Sequence, residues 1–391
     1  MAETSGPSRS HRDALEWLAG AGDVEVVVPG PGAVAEAYAP FASVTVLDYQ
    51  AIGVPAGALE LARAARGFLR EVRTFRRHIR RTRPDRVIVT TTALPAAIAA
   101  ARTERVPLLV SAAEIVPREP GLGRRVGGTA VLRLTRSAAD SIVGCSQVVT
   151  AQFDGARGRV ATVYPPIAGD VADGDRRGFR ERHAIDPAAS CLAVIGSISR
   201  QRGQDVLLEA LPSIREHVPG VRVLMVGDPH PRAADMAYRR ELAELAGRLG
   251  VAEQVVWTGA VDRIADVYAA ADAVVNPTRR ESFGRVAAEA LVARTPVVST
   301  RVGGVPEVLR DGVDGLLVEP DAPAALAAAV VRVLVDRDLA ARLVSAGAER
   351  VSREFSPERS LAGFADAVRV LASGASAARA AERDGAERER H

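Results

Sequence analysis

The strongest constraint on this chain is an alternation. Short apolar runs are separated by longer amphipathic stretches, and the pattern breaks only once. VEVVVPG (24–30), SVTVLDY (43–49), RVIVTTT (86–92), VPLLVSA (106–112), SIVGCS (141–146) and RVATVYPP (159–166) read as strands. Stretches such as ALELARAARGFLREVRTFRRHIRRTRP between them carry a helical period. Strand then helix, repeated, demands a parallel sheet with helices over both faces. The break comes at YPPIAGDVADGDRRG (164–178), where proline, glycine and acids cluster as in a linker. The pattern restarts with CLAVIGS (191–197), RVLMVGD (222–228), QVVWTG (254–259), DAVVNPT (272–278), TPVVST (295–300) and DGLLVEP (314–320).

At 391 residues the chain exceeds one ordinary core. The expected fold class is α/β, with two doubly wound, parallel-sheet, Rossmann-like domains facing across a cleft. The boundaries fall at 1–168 and 169–355, followed by a helix over 356–372 and a tail over 373–391. The tail is poor in large apolar residues and is expected to be disordered. Open parallel sheets take ligands beyond the carboxyl ends of their strands. The N-terminus departs from the pattern, because MAETSGPSRSHRDALEWLAG enters a loop and helix where a doubly wound domain opens with a strand. A gene start placed too late and a rearranged sheet both fit; the first is the expectation.

Composition narrows the chemistry. All 51 basic side chains apart from histidine are arginine. Schiff-base chemistry, lysine bases and a Walker-type phosphate loop are excluded. Any anion must be held by arginine or by backbone amides. A net charge of +3 and 4% aromatic residues do not describe a nucleic-acid surface. Two cysteines, Cys145 and Cys191, are too few for a disulfide framework and fit a reducing cytoplasm. No apolar run approaches a membrane span, and residues 1 to 22 do not resemble a signal peptide. His11, His78, His183 and His230 show no metal-ligand spacing.

The most informative segment is NPTRRESFGRVAAEALVARTPVVSTRVGGVPEVL, Asn276 to Leu309. Gly284 precedes a good helix former, and a helix start offers free amides and a positive dipole end to a phosphate. Glu281 lies before that helix and Glu289 about two turns beyond it. Carboxylates do not favour phosphate but accept hydrogen bonds from sugar hydroxyls. Two of them flanking an anion-binding helix start point to a nucleotide sugar. Solvated helix charges are the alternative, and the organisation of the whole segment argues against it.

This segment resembles the donor motif of family-4 retaining glycosyltransferases of the GT-B architecture: glutamate, small residue, Phe-Gly, a helix with a second glutamate, then a PVV strand and a GG-x-PE turn. Weaker resemblance extends through IGSISRQRGQDVLLEAL (195–211), VLMVGD (223–228) and VVWTGAVDRIADVYAAADAVVNPT (255–278), covering most of the second domain. The resemblance implies a retaining transfer from a nucleoside diphosphate sugar, UDP first among the nucleotides, to a hydroxyl acceptor. It implies no metal and no cofactor beyond the sugar nucleotide as co-substrate. Glu289 would bind the ribose and Glu281 hydroxyls of the donor sugar. Amides at Phe283, Gly284 and Arg285, beside Ser282, would touch the sugar and diphosphate. Gly259 and Val261, in GAVD, would line the base pocket. Arg202 stands where the family has a lysine on the diphosphate.

Ser197 replaces the family's arginine clamp, for which Arg200 could substitute or be a plain surface residue. In VSAAEIVP (110–117) the family's histidine is Ala113, leaving Glu114 to bind acceptor or to cap the strand end. The glycine-rich first loop is reduced to SGPS, making Gly6 and Ser8 candidates at the diphosphate. The last helix would cross back to the first domain. The D-x-D at Asp173 to Asp175 reads as a solvated turn in the linker. REVRTFRRHIRRTRPDR (70–86) could make peripheral contact with an anionic membrane or a lipid-linked acceptor, as in some relatives; a solvated helix before a strand is the expectation. The altered clamp leaves two rivals: a non-catalytic relative binding nucleotide or a partner enzyme, and a nucleotide-sugar epimerase.

Overall fold

A computed structural model of the chain describes residues 12–50, 58–116, 122–167 and 169–371. Gly6, Ser8 and the tail beyond 372 lie outside the described residues. Every apolar run named above contains a strand: β1 (Glu25–Val28), β2 (Ser43–Val46), β3 (Val87–Val89), β4 (Leu108–Ala112), β5 (Ser141–Gly144), β6 (Arg159–Thr162), β7 (Cys191–Ile195), β8 (Arg222–Val226), β9 (Val255–Gly259), β10 (Ala273–Asn276), β11 (Val297–Thr300) and β12 (Leu316–Val318). The chain divides into two compact units, one being Ile167–Ser356 and the other the described residues on either side of it.

The second unit is built on a six-stranded parallel sheet in the order β12-β11-β10-β7-β8-β9. Its inner strands are buried on both faces, as a continuous apolar run requires. Leu192, Val194, Val223, Met225, Val275 and Val298 share one core with Leu207, Leu208 and Leu211 of the helix Gln204–His217 and Val330 of the helix Pro323–Val335. Each such side chain stabilises the unit by about 1.5–3 kcal/mol on burial. The direction of winding reverses between β7 and β10, which are neighbours in the sheet though distant in sequence. A crevice opens at such a switch point, beyond the carboxyl ends of the strands. The loops leaving β7 and β10 carry Ser197 to Arg202 and Pro277 to Phe283.

In the first unit the described strands form two sheets rather than one. β1 and β2 pair in parallel, and β3-β4-β5-β6 form a separate parallel sheet. The Tyr49 hydroxyl donates to the Val27 carbonyl at 3.1 Å, so a side chain serves part of the β1 backbone. The helix Arg12–Ala21 stands where a doubly wound unit has its opening strand. Ala14, Trp17 and Leu18 of that helix cluster with Ile88, Leu109 and Val143 of the larger sheet. Phe364, Ala367, Val368 and Leu371, from the helix at 357–371, join them.

The stretch read as a linker is structured from residue 169 on. A 3-10 turn spans Gly169–Ala172 and a helix spans Arg176–Arg182. Asp175 is exposed and caps that helix, accepting from the Gly178 amide at 2.8 Å. Arg180 is 3% exposed. It donates to the carbonyls of Ala270, Asp186, Pro187 and Ala189 and to Asp272. Satisfied in this way, a charged side chain can be buried.

Candidate functional site

The site grows from the loop after β10. Thr278 Oγ1 lies 3.0 Å from both the Gln201 and the Arg280 carbonyls, and the Arg279 amide donates to the Gln201 carbonyl at 2.8 Å. Arg279 grips Asp205 with two bonds of 2.9 Å, and also donates to Asp321 and to the Arg200 carbonyl, both at 2.6 Å. Burial pushes Asp205 upward, but the bonds from Arg279 and Tyr238 outweigh it and hold the carboxyl below its ordinary value. The loops after β7 and β10 are thereby stitched into one surface.

On that surface Arg202 Nη1 donates to Glu281 Oε2 at 2.6 Å. Glu281 Oε1 accepts from the amide of Ser282 at 3.1 Å. The Gly304 amide donates to the Glu281 carbonyl at 3.1 Å. A Cβ on Gly304 would lie 2.4 Å from the Ser282 carbonyl oxygen, so the GG turn packs its backbone directly against the loop. Phe283 is buried and meets Phe355 edge-on at 5.4 Å. Gly284 adopts φ of 112°, a left-handed conformation that glycine reaches without strain, and launches the helix Arg285–Val292. As a glycine, it brings no side chain of its own to cap that helix start. The amides of a helix start and the dipole suit an anion.

Glu289 is buried on the same helix. Its Oε2 accepts from the Tyr268 hydroxyl at 2.8 Å and its Oε1 from Arg285 at 3.4 Å. Tyr268 is itself fully buried, on the helix Ile264–Ala270. Beyond β9, the Asp228 carboxylate accepts from the Ala260 amide at 3.0 Å, fixing the turn that holds Gly259 and the half-exposed Val261. The Ser197 carbonyl accepts from Gln204 at 3.1 Å.

The structure thus joins Arg202 to Glu281 and Arg285 to Glu289. Arg200 is not part of this group: it pairs with Glu241 and lies over the Tyr238 ring at 5.0 Å. Glu114 belongs to the first unit, where it accepts from Thr91 Oγ1 at 2.7 Å, the Thr92 amide at 2.6 Å, the Thr92 hydroxyl and the Ala113 amide at 3.0 Å. In the basic helix, Arg70 pairs with Asp48, and Arg76 and Arg80 both pair with Glu104. Sequence reading missed Tyr268, Asp228 and the Asp205–Arg279 pair. Tyr268 sits at an ordinary apolar helix position, and the other contacts span loops far apart in sequence, so spacing could not reveal them. No group of three or more histidine, cysteine or acidic side chains among the described residues could hold a metal ion. No described helix is long and apolar enough to cross a membrane.

Comparison with known proteins places these features. Residues 189–336 match the family model described as Glycosyl transferases group 1. The D-inositol 3-phosphate glycosyltransferase of Mycolicibacterium gilvum is 42% identical over 173 residues, which is 42% of this chain and 37% of that protein. The protein of the same name from Segniliparus rotundus is 34% identical over 257 residues, 63% of this chain and 56% of that protein. The chain therefore spans about half, or less, of the length of the curated relatives it matches. Among solved structures, Anabaena Alr3699/HepE in complex with UDP and glucose is similar with a TM-score of 0.79, at 22% identity, over 94% of this chain and 97% of that one. WaaG, a glycosyltransferase involved in lipopolysaccharide biosynthesis, gives 0.69 at 20% identity over 92% and 96%. The chain has the GT-B fold and carries a glycosyl transferases group 1 domain at 189–336.

Proposed function

We propose that this protein is a retaining, metal-independent glycosyltransferase. It moves a sugar from a nucleoside diphosphate sugar, UDP being the nucleotide, to a hydroxyl acceptor. The observation that carries the reading is the pairing of two little-exposed carboxylates with two arginines around a glycine-led helix start at the switch point of the second sheet. Arginine and free amides suit a diphosphate. Carboxylates suit hydroxyls.

In this reading Glu289, oriented by Tyr268, takes the ribose. Glu281 takes hydroxyls of the transferred sugar. The amides at Phe283, Gly284 and Arg285 and the guanidinium of Arg202 hold the diphosphate, with Ser197 nearby. The turn from Gly259 to Val261 receives the base. An oxygen of the diphosphate assists removal of the acceptor proton on the leaving-group face, so configuration is retained. The UDP of the Anabaena complex supports the choice of nucleotide. The relatives named for D-inositol 3-phosphate match over too little of their length to carry the acceptor across. The ion pairs with Asp48 and Glu104 support the solvated reading of the basic helix over membrane contact.

The test is calorimetric binding of a panel of nucleoside diphosphate sugars to the wild type and to Glu289→Ala. One donor should bind, and Glu289→Ala should weaken it by about 1–3 kcal/mol, the range for a lost hydrogen bond to a charged group. Equal affinity in the variant would remove the ribose assignment. Product analysis without acceptor separates a transferase from an epimerase, and binding without any turnover would favour a non-catalytic relative.

A further inference from the structure

Resting on that reading, one contact adds a specificity rule to it. Glu281, assigned to the sugar, and Arg202, assigned to the diphosphate, are bonded to each other at 2.6 Å. Both are part-buried, with side chains 17% and 28% exposed. The other oxygen of Glu281 faces the amide of Ser282. Each carboxylate oxygen thus accepts one bond, one from its own loop and the other from the arginine. The Arg202 guanidinium passes close to Gly196, where a Cβ would lie 3.4 Å from its Nε. The Glu281 backbone is pinned by Gly304. The part free to change partner is the guanidinium head.

We infer that Arg202 masks Glu281 until a diphosphate draws the guanidinium away, so that the sugar-binding carboxylate becomes available only when the diphosphate has arrived. A guanidinium forms its strongest pairs with planar or tetrahedral oxyanions that offer two oxygens. A diphosphate offers more oxygens and more negative charge than one carboxylate already shared with an amide, and it wins the exchange. A free sugar or a sugar monophosphate lacking the nucleotide presents no such competitor in the right place. It meets a carboxylate whose charge is already paired with the guanidinium. The pair acts as a specificity determinant: sugar hydroxyls are recognised only as part of a nucleoside diphosphate sugar.

The consequence runs against the usual effect of deleting a binding residue. Free UDP has to break the Arg202–Glu281 pair and gains nothing from Glu281 in return. UDP-glucose breaks the same pair but recovers the carboxylate through its sugar hydroxyls. Removing the negative charge at Glu281 should therefore help UDP and harm the sugar nucleotide.

The experiment is titration calorimetry of UDP and UDP-glucose with the wild type, Glu281→Gln, Arg202→Ala and the double variant, with thermal melts to confirm folding. Glu281→Gln is expected to bind UDP about threefold to tenfold more tightly, the scale of one part-buried ion pair. Its affinity for UDP-glucose should fall relative to UDP. Arg202→Ala should weaken UDP by tenfold or more, and adding Glu281→Gln to it should change UDP affinity no further. If the wild type binds UDP while Glu281→Gln binds it equally or more weakly, the mask is refuted and the donor reading stands. If Glu281→Gln fails to fold, Glu281→Ala and Glu281→Ser serve for the same comparison. If the wild type binds neither UDP nor UDP-glucose, the UDP-sugar reading falls, and the mask with it.

Discussion

Glu114 in the first unit and Glu281 in the second occupy comparable places. Each follows a parallel strand and sits in the loop beyond its carboxyl end. Their partners differ in kind. Glu114 is held by neutral donors: two threonine hydroxyls and the amides of Thr92 and Ala113. Gln152 reinforces the same loop, accepting from the Val116 amide at 2.8 Å and donating to the Glu114 carbonyl at 3.2 Å. Glu281 is held by an arginine and one amide. Neutral donors cannot follow an anionic ligand, whereas an arginine can exchange one oxyanion for another. The first arrangement suits a tie and the second suits a binding site, although both begin from a glutamate at a strand end.

The largest effect expected from this difference is on stability. Glu114→Ala leaves several donors of the first unit without their acceptor, and should cost about 3 kcal/mol in denaturant unfolding. Glu281→Ala should cost about 1 kcal/mol or less, because its ion pair is part-exposed. The comparison breaks if Glu114→Ala folds as stably as the wild type yet loses turnover. In that case Glu114 would belong to the acceptor chemistry, the other role the resemblance offers it.

The two units also differed in how much their sequences disclosed. In the second, β7, β8, β10 and β11 are buried on both faces, and such strands read as unbroken apolar runs. The hydrogen-bonded part of each run is shorter than the run itself, as where RVIVTTT yields only Val87–Val89 and Thr91 and Thr92 turn toward Glu114. The clustering of the loop after β10 was legible because Glu281, Gly284, Glu289 and Gly304 are close in sequence and each has a local reason to be there. The division of the first sheet was not legible, because an apolar run declares a strand but not its neighbour. Nor was the helix Arg176–Arg182: the proline, glycine and acids around its start suggested a linker, and only the fold supplies the carbonyls that satisfy Arg180. Tyr268 was hidden for the converse reason, since a buried tyrosine on a helix is ordinary core until its hydroxyl is seen against Glu289.

A smaller effect tests whether Glu289 is as tightly oriented as its burial suggests. Tyr268→Phe removes one hydroxyl and keeps the ring. Donor affinity should fall by about 1 kcal/mol, the scale of one net hydrogen bond. The same change made in a Glu289→Gln background should have a much smaller effect, since the two side chains act through one contact. A loss of equal size in both backgrounds would mean that Tyr268 acts through packing of its helix, and the assignment of Tyr268 as the residue that positions Glu289 would be withdrawn.

The smallest effect sharpens the contrast from inside the second unit. Asp205 also has an arginine partner, yet it lies in the stitching of the loops and, unlike Glu281, is gripped by two bonds from Arg279 and a third from the Tyr238 hydroxyl. If geometry and not the arginine decides whether a carboxylate is exchangeable, Asp205 should behave as a tie. Its carboxyl is held below the ordinary value, so the folded state binds the proton less readily than the unfolded chain. Its contribution to stability is then fully present above the ordinary aspartate range near pH 4, and is lost as pH falls through the lower folded value. Denaturant unfolding from pH 6 down to pH 3 should show this loss in the wild type and a shallower slope in Asp205→Asn. Donor affinity at neutral pH should change far less in Asp205→Asn than in Glu289→Ala. An unchanged acid slope together with a large loss of donor affinity would place Asp205 with the binding carboxylates and erase the distinction between the two kinds of arginine pair.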